Sequence, residues 1–310
     1  METITKDSDY YVSDAMGNVS RAHGPVNAPA GHVLIKTEFA GVNRGDVLEL
    51  QGAYGQPPAA GTRVGQDIVG IVEAATSPEG AHLVGQRVFG QITGAWGQYA
   101  TADPTCLALT GGLAPEEAVT LPLAGFTALR LARQAVQHAG DLREKNVLIT
   151  GGTGAVGGLL IGMLLKRGAQ VWVLSRRPQT DMPAGVRVVR SLSEVPEVAV
   201  AFESVGGELL GSALSRLERH GHLWWFGEAS RQPGTLDFFN YLGHSPVHIH
   251  HFAHWIHDGD DATDLAELRD MVRSGTLTTP RARQVSPEEL PSAIQDIAHD
   301  SIHEKVIVHF

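Results

Sequence analysis

The sequence predicts an α/β protein in which an N-terminal antiparallel β-domain is joined to a doubly wound parallel sheet. Residues 146–177 form a pattern of strand, glycine-rich turn, long apolar helix and second strand, in about the length of a βαβ unit. Strand-type and helical segments continue to alternate after it, which is typical of a parallel sheet with crossover helices. Residues 1–101, by contrast, contain short strand-type runs between glycine and proline turns, which indicates antiparallel strands.

The individual elements are predicted from local patterns. Pro115 and the two glutamates after it mark the first turn of a helix that begins near Leu113. A long helix follows at 124–138, and Gly140 ends it. The other predicted helices are 156–168, 208–219, 263–274 and 287–299, and the predicted strands are 32–39, 67–74, 86–91, 146–150, 170–174, 186–189, 198–204, 222–227, 247–252 and 305–310.

The turn in the βαβ unit carries Gly151, Gly154 and Gly157 in the pattern G-x-x-G-x-x-G. In a dinucleotide site, such glycines allow a tight turn, close approach of the pyrophosphate and close packing of the helix on the strand. The phosphates would accept hydrogen bonds from the free N–H groups at the helix N-terminus. The flanking strand and helix favour this interpretation over that of an ordinary glycine-containing loop.

The end of the second strand indicates which dinucleotide binds. An NAD site usually places an acidic residue there, roughly 20 residues beyond the glycines, to bind the ribose 2′-hydroxyl. This chain has Ser175, Arg176 and Arg177 at that point, and no acidic residue between Gly157 and Asp181. Two guanidinium groups and a hydroxyl suit a 2′-phosphate, so the sequence predicts NADPH as the cofactor.

Composition excludes several other classes of protein. The net formal charge of −10 argues against a nucleic-acid-binding surface, which needs a basic patch. Cys106 is the one cysteine, so an intramolecular disulfide or a cysteine-based zinc cluster is impossible. The N-terminus is polar, and no apolar run approaches the length of a membrane span, so we expect a cytoplasmic protein without membrane attachment.

Taken together, the motifs resemble those of the zinc-free medium-chain dehydrogenases/reductases, in the branch of quinone oxidoreductases and enoyl reductases. The resemblance extends over essentially the whole chain, and the order and spacing of its segments are more specific than any one of them. The matching segments are 40–55, 64–74, 85–90, 94–100, 121–129, 147–158, 203–207, 220–230 and 304–308.

This resemblance implies a GroES-like N-terminal domain and a Rossmann domain with a doubly wound parallel sheet. We expect the first at residues 1–121, completed by 280–310, and the second at 122–279. The family places its active site in the cleft between such domains. It also often pairs an edge strand with that of a second subunit, so we expect a homodimer.

The residues at the zinc positions of the family predict that no catalytic zinc is bound. Alcohol dehydrogenases of the superfamily have a cysteine where this chain has Asn43 and a histidine where it has Gln66. They also carry a four-cysteine structural zinc site, which a chain with one cysteine cannot form. Hydride would therefore be transferred to an acceptor that hydrogen bonds or conjugation already activate.

The resemblance also implies roles for individual residues. Asn43 would bind near the nicotinamide ribose, Thr127 near the carboxamide, and Phe226 and Gly227 beside the nicotinamide ring. Ser175, Arg176 and Arg177 would bind the 2′-phosphate. The remaining expected cofactor-binding residues are Gly151, Thr153, Gly154, Ala155, Val156, Gly157 and Lys305.

Tyr54 matches the tyrosine that enoyl reductases of this branch place beside the substrate, and we expect Tyr54 and Asn43 to be catalytic. A phenol can donate a proton to an enolate as charge develops. The alternative is a loop aromatic that only covers the site. The predicted activity is NADPH-dependent reduction of a conjugated small molecule, either an enone or enoyl thioester, or a quinone. A non-catalytic NADPH-binding partner or structural protein is the alternative from another class.

The chain contains a histidine-rich segment, made up of His244, His248, His250, His251, His254 and His257. A metal site is possible on spacing alone, but the segment contains no carboxylate and suits an edge strand at a pH-sensitive dimer interface.

The glycine motif also resembles that of the short-chain reductases. In that class the motif lies near the N-terminus, whereas here it lies in the middle of the chain, and the catalytic Tyr-x-x-x-Lys of the class does not occur in this sequence.

Overall fold

The computed structural model describes residues 4–175, 182–237, 239, 246–256 and 259–310. These residues form two compact units, the first with two β-sheets and the second with one. The first unit comprises Met1–Phe126, Asp258–Ser274 and Thr279–Phe310, and the second comprises Thr127–His257 and Gly275–Thr278. Among the described residues, no helix is long and apolar enough to cross a bilayer.

The first unit is built mainly on antiparallel strands, with one parallel pair at the edge of its larger sheet. A long hairpin, β1 (Ile4–Ser13) and β2 (Val19–Ala28), forms a two-stranded sheet. A seven-stranded sheet has the order β14-β15-β3-β4-β5-β7, with β6 paired to β3. Its strands are β3 (Val33–Val42), β4 (Asp67–Ala75), β5 (Arg87–Gln91), β6 (Tyr99–Ala102), β7 (Leu107–Leu109), β14 (Ala282–Val285) and β15 (Lys305–His309).

Short helices complete this unit. The α1 helix (Arg44–Leu50) follows β3 directly and buries Asp46, Val47 and Leu50. The others are α2 (Pro78–Ala81), α3 (Pro115–Ala118), α7 (Asp261–Arg273) and α8 (Leu290–Ala298). The core lies between the sheet and the buried faces of α1 and α8, where Val47, Leu50, Ile294 and Ile297 pack with strand residues.

The second unit contains a six-stranded parallel sheet in the order β10-β9-β8-β11-β12-β13. Its strands are β8 (Asn146–Thr150), β9 (Gln170–Leu174), β10 (Val186–Val189), β11 (Val198–Glu203), β12 (Leu217–Trp225) and β13 (His248–His251). Its helices are α5 (Ala155–Lys166), α6 (Glu208–Leu214) and most of α4 (Pro122–Ala139). In sequence order the strands are arranged 3-2-1-4-5-6, which is the order of the Rossmann fold.

The predicted fold class is confirmed, and most predicted elements are present with ends shifted by a few residues. The helix predicted at 208–219 is wrong in its second half, because α6 ends at Leu214 and the chain enters β12 at Leu217. Leu217 pairs with Val198 of β11 in the parallel sheet, and this pairing overrides the helical pattern. The sequence pattern does not predict β1, β2, α1 or β14 as individual elements.

The division into units also differs from the expected domain boundaries. The sequence assigned 122–279 to the nucleotide-binding domain, but α7 groups with the first unit. Its Arg269 donates a hydrogen bond to the carbonyl of Leu109 over 3.1 Å. A Cβ on Gly125 would lie 2.6 Å from the side chain of Leu268, so α7 packs closely against the backbone at Gly125. Tertiary contacts of this kind are not visible in sequence periodicity.

Candidate functional site

The glycine-rich turn of the second unit lies between β8 and α5, as predicted. Gly151 has a φ of +67°, and a Cβ there would lie 2.6 Å from the hydroxyl oxygen of Ser204. A Cβ on Gly157 would lie 2.5 Å from the Cα of Gly152. The first glycine thus permits the left-handed turn, and the third permits the helix to pack against the turn.

The outer surface of this turn is open. Gly151, Thr153 and Gly154 are exposed, and Ala155 and Val156 are half-buried. Gly154 is the N-cap of α5, where no side chain caps the free N–H groups and no acidic residue occupies the first turn. Those N–H groups and the helix dipole form an electropositive surface. The geometry fits the pyrophosphate of a dinucleotide.

A buried carboxyl group supports the turn from the neighbouring strand. Glu203, at the end of β11, is fully buried and accepts hydrogen bonds from the N–H groups of Val205 and Gly206. It also accepts one from the Thr150 hydroxyl over 3.1 Å, at the end of β8. Burial raises the pKa of the Glu203 carboxyl, and these hydrogen bonds oppose the increase. Glu203 therefore joins the two strand ends that carry the turns at this edge.

Phe226 and Gly227 lie at the same edge of the sheet, because they follow the next parallel strand, β12. The Phe226 N–H donates to the carbonyl of Glu203 over 2.9 Å. A Cβ on Gly227 would lie 3.1 Å from the carbonyl oxygen of Ser204, so a larger residue there would require a small shift of the Ser204 backbone. The carboxyl ends of β8, β11 and β12 thus bring the glycine turn, Phe226 and Gly227 together, where ligands bind in such sheets.

The other residues predicted for the cofactor have different surroundings. Ser175 follows β9, is buried, and its N–H donates to the carbonyl of Val189 over 3.0 Å. Thr127 is buried in α4. Arg176 and Arg177 lie outside the described residues. The predicted 2′-phosphate site is therefore described only up to Ser175.

Asn43 and Lys305, both predicted from the family resemblance, meet in a buried polar cluster of the first unit. The Lys305 ammonium donates to the Asn43 side-chain oxygen and, over 2.6 Å, to Oδ2 of Asp67. Asn43 Nδ2 donates to the same Asp67 oxygen over 2.8 Å. Asp67 Oδ1 accepts the N–H of Leu123 over 3.0 Å. The Asn43 amide thus has a cationic donor at its oxygen and an anionic acceptor at its nitrogen, which fixes its orientation.

The backbone explains why these residues meet. Strand β15 pairs antiparallel with β3, so Lys305 enters beside the end of β3, where Asn43 begins α1. Gly41 lies beneath the cluster, and a Cβ there would lie 2.8 Å from the Asp67 Cβ and 3.2 Å from the Lys305 Cε. The cluster therefore depends on three separate segments of chain and on one glycine.

Asp46 belongs to the same cluster and was not singled out from the sequence. Its Oδ2 accepts the Asn43 N–H over 2.6 Å and Asn43 Nδ2 over 3.1 Å. Its Oδ1 is buried and has no hydrogen-bond partner among the described residues. Burial, followed by the negative charge of Asp67, raises the pKa of the Asp46 carboxyl to about 7. Asp46 and Asp67 were missed because a lone acidic residue in a sequence gives no indication of burial.

Tyr54 lies beyond α1 with its side chain 60% exposed. Its hydroxyl is 3.9 Å from the position of a Cβ on Gly45, which places it near the first turn of α1. Partial burial of the phenol, and then the carboxylates of Asp46 and Glu49, raise the pKa of Tyr54. The phenol is therefore protonated at neutral pH and is a weaker acid than an ordinary tyrosine.

The position that carries a zinc-binding histidine in alcohol dehydrogenases is held by an amide. Gln66 donates from Nε2 to Glu49 over 3.0 Å and accepts from Gln91 over 2.6 Å. Both functional ends of the Gln66 amide are therefore engaged with side chains. Across the part of the chain that the structure describes, no group of three or more His, Cys, Asp or Glu residues is arranged to hold a metal ion.

The histidines of β12 and β13 stack against one another. His222 Nδ1 lies 2.8 Å from His250 Nε2, and the ring of His222 is 4.6 Å from that of His248. His250 stacks on Trp224 at 4.5 Å, and His138 of α4 lies 4.9 Å from His250. Among the residues that the structure describes, β13 is the edge strand of the sheet, as expected for this segment. His244 and His257 lie outside the described residues.

Sequence comparisons agree with the two-part fold. The profile of the alcohol dehydrogenase GroES-like domain matches residues 29–128. YhfP of Bacillus subtilis, named as a quinone oxidoreductase, is 28% identical over 301 residues, covering 90% of this chain and 91% of that protein. The mitochondrial enoyl-[acyl-carrier-protein] reductase of Arabidopsis thaliana is 26% identical over 241 residues, covering 70% of this chain and 63% of that protein.

Solved structures share the fold over the whole chain. A quinone oxidoreductase from Pseudomonas syringae superposes with a TM-score of 0.85 at 19% identity, covering 98% of this chain and 100% of that chain. A mycobacterial protein complexed with NADPH superposes with a TM-score of 0.84 at 22% identity, with the same coverage of each chain. At these identities the structural likeness establishes the fold.

Proposed function

Since the chain belongs to the medium-chain dehydrogenase/reductase superfamily, in its quinone oxidoreductase and enoyl reductase branch, and is an oxidoreductase of that type, we propose that it uses NADPH, without zinc, to reduce a conjugated acceptor. The observation that most directly supports this proposal is the glycine turn at the carboxyl edge of the parallel sheet. Its open backbone N–H groups and the absence of an acid in the first turn of α5 suit a diphosphate. When bound, the nicotinamide supplies the hydride.

The preference for NADPH rests on the end of β9. The strand ends at Leu174, Ser175, Arg176 and Arg177 follow it, and no acid occurs between Gly157 and Asp181. A carboxylate at this point would bind a ribose 2′-hydroxyl and repel a 2′-phosphate. Guanidinium groups instead form charge-assisted hydrogen bonds with phosphate oxygens. The sequence of this strand end therefore supports the phosphorylated cofactor.

Independence from zinc is supported by the partners of the two amides. Asn43 is held by Lys305 and Asp67, and Gln66 is held between Glu49 and Gln91. Neither amide has the thiolate or imidazole chemistry that zinc prefers. Without a metal to polarise an alcohol or aldehyde, the acceptor must be electron-poor by itself. A carbon–carbon double bond conjugated to a carbonyl, or a quinone, meets this requirement.

In the proposed reaction with an enone or enoyl thioester, hydride adds to the β-carbon and the electrons move to the carbonyl oxygen as an enolate. The Tyr54 hydroxyl then donates its proton to the enolate, and the Tyr54 O–H bond breaks. Tyr54, like any phenol, is protonated at neutral pH; its raised pKa makes it a weaker acid, so it donates its proton only to a strong base such as the enolate. With a quinone, the reduced oxygen carries the charge, and solvent can protonate it without Tyr54.

The free edge of β13 supports a further proposal, that two copies associate through this strand. β13 ends the sheet among the described residues, and Ile249, Trp255 and Ile256 are 45%, 60% and 69% exposed. An exposed strand edge with apolar neighbours favours pairing with an identical strand. A monomeric mass from light scattering at micromolar concentration would contradict the homodimer.

The experiment that tests the reaction measures NADPH oxidation with an enone and with a quinone, in the wild type and in Tyr54→Phe. The variant should reduce the enone about 100-fold more slowly, since a positioned proton donor contributes about this much, and should keep its quinone rate. The affinity for NADPH should be the same in the variant as in the wild type. An unchanged enone rate in Tyr54→Phe would contradict the role of Tyr54, and no turnover with either acceptor would contradict the proposed activity.

A further inference from the structure

Glu49, near the end of α1, is an exposed carboxylate that is held by an amide. Gln66 Nε2 donates to Glu49 Oε2 over 3.0 Å, and Gln91 Nε2 donates to Gln66 Oε1 over 2.6 Å. Gln66 precedes β4 and Gln91 ends β5, and both are half-buried, so two neighbouring strands hold the amides in place. An exposed glutamate side chain is ordinarily free to change rotamer, whereas these hydrogen bonds give the Glu49 carboxylate a defined position.

The charge of Glu49 is not balanced by a neighbouring cation. Arg44, at the start of α1, pairs with Asp300 at 2.5 Å. Lys305, which contacts the N-cap of α1, pairs with Asp67 at 2.6 Å. Within the described ranges, no lysine, arginine or histidine forms an ion pair with Glu49. Glu49 therefore leaves a negative charge on this surface of the first unit.

Glu49 lies on the same face of α1 as the Tyr54 hydroxyl. That hydroxyl is 3.9 Å from the Cβ position on Gly45, and Gly45 and Glu49 are four residues apart in the helix. Residues at this spacing are neighbours on one helix face, so the hydroxyl lies within about 10 Å of the Glu49 Cβ. Charges at such a distance are only partly screened by salt. Partial burial, and then the charges of Asp46 and Glu49, raise the pKa of Tyr54, which agrees with this placement.

We propose that Glu49 is a specificity-determining residue that restricts the reaction to acceptors without a negative charge beside the conjugated double bond. This inference rests on the proposed function and names its substrate class, which is an uncharged enone, ester, thioester or quinone. An unsaturated carboxylate whose enolate is protonated by Tyr54 would bring its own charge close to Glu49 and be repelled. The cations on α1 and at its N-cap already pair with other carboxylates and do not offset this repulsion.

A matched pair of acceptors tests the proposal. 4-Oxopent-2-enoate and its methyl ester contain the same enone, with and without a negative charge. We expect the wild type to have the higher kcat/KM for the ester at saturating NADPH. Glu49→Gln, which keeps a side chain able to bond with Gln66, should lower this preference by about three- to tenfold. Glu79→Gln removes an exposed carboxylate from α2, beyond the opposite end of β4, and should keep the wild-type preference.

Salt dependence separates a role of the charge from a structural role in holding Gln66. The preference of the wild type for the ester should shrink as the ionic strength rises from about 0.02 M to about 1 M, because salt screens the repulsion. The preference of Glu49→Gln should change less. An unchanged preference in Glu49→Gln, or a wild-type preference that does not respond to salt, would overturn the inference.

Binding of the saturated products provides a measurement without turnover. NMR titration of the protein loaded with NADP⁺ gives the dissociation constants of 4-oxopentanoate and its methyl ester. The wild type should bind the ester more tightly, and Glu49→Gln should reduce this difference by a similar factor. Equal affinities of the wild type for the two products would overturn the role of Glu49. A wild type that binds these products but reduces neither acceptor would contradict the proposed function, and the ratio of affinities would still decide the role of Glu49.

Discussion

Gly157 and Gly158 are neighbours in the first turns of α5, yet a Cβ has opposite effects at the two positions. A Cβ on Gly157 would lie 2.5 Å from the Gly152 backbone, whereas nothing lies within 4 Å of one on Gly158. Gly157→Ala should lower the free energy of unfolding by about 1–3 kcal/mol and weaken NADPH binding. Gly158→Ala should raise the free energy of unfolding by about 0.5–1 kcal/mol. Urea unfolding and cofactor titration measure both effects, and equal changes in the two variants would contradict the packing described here.

Lys305 is the buried cation of the cluster around Asn43. Lys305→Met leaves the Asp67 carboxylate without its counter-charge and should lower the free energy of unfolding by about 3–5 kcal/mol. The double variant Lys305→Met/Asp67→Asn removes the second charge and should recover part of this loss. Thermal and urea unfolding compare the two, and a Lys305→Met variant as stable as the wild type would show that the pair is not buried as described.

The candidate site could be predicted only in part at this level. The G-x-x-G-x-x-G pattern identified the glycine turn, and the family resemblance identified Asn43, Tyr54 and Lys305, because each lies in a segment with recognisable neighbours in the sequence. Asp46, Asp67 and Glu203 owe their significance to burial and to partners that are distant in the chain. An acid in a first helical turn or at a strand end is usually solvated, so the sequence alone gives no reason to single it out.

At the scale of the elements, the histidines of β12 and β13 make the stability of the fold depend on pH. His222 faces His248 and His250 of β13 and His138 of α4, with Lys145 nearby. Burial, followed by these neighbouring histidines, lowers the pKa of His222 to about 4. The unfolded chain therefore binds more protons here than the folded chain. The contribution of His222 to the free energy of unfolding is fully present above roughly pH 6.5, the pKa of a histidine in the unfolded chain. It is lost as pH falls toward about 4, the pKa of His222 in the folded chain.

His222→Phe tests this dependence, because a phenyl ring can keep the stacking on Trp224. The melting temperature of the variant should fall less than that of the wild type between neutral and acid pH. Above neutral pH the variant should be no more stable than the wild type, since it loses the hydrogen bond with His250. Scanning calorimetry over this pH range gives both values, and parallel curves would contradict the assignment.

Helices and strands could be predicted where the order of apolar and polar residues in the sequence matches their burial in the structure. Every residue of β11 is buried, as expected for a central parallel strand, and its apolar sequence marks it clearly. β1 and β2 were missed because their exposed faces carry polar residues in a run without clean alternation. The α1 helix is seven residues long with three buried, too short for a periodic signal.

At the scale of the whole molecule, the order of strands and helices was sufficient to predict a β-domain and a doubly wound parallel sheet. The assignment of 258–274 to the first unit could not be predicted, since it depends on the contacts of α7 with residues more than 100 positions earlier. Cofactor preference, zinc independence, dimerisation and cytoplasmic location stay predictions. Of these, cofactor preference bears most directly on the proposed reaction.

That preference is measured by kcat/KM for NADPH and NADH with one conjugated acceptor, in the wild type and in Arg176→Ala. The wild type should turn the acceptor over and favour NADPH by at least about tenfold. Arg176→Ala should lose about 1.5–3 kcal/mol of this preference, since a charged hydrogen bond to the 2′-phosphate is removed while NADH is little affected. A wild type that favours NADH, or a variant that loses activity equally with both cofactors, would contradict the assignment of this protein as an NADPH-dependent reductase.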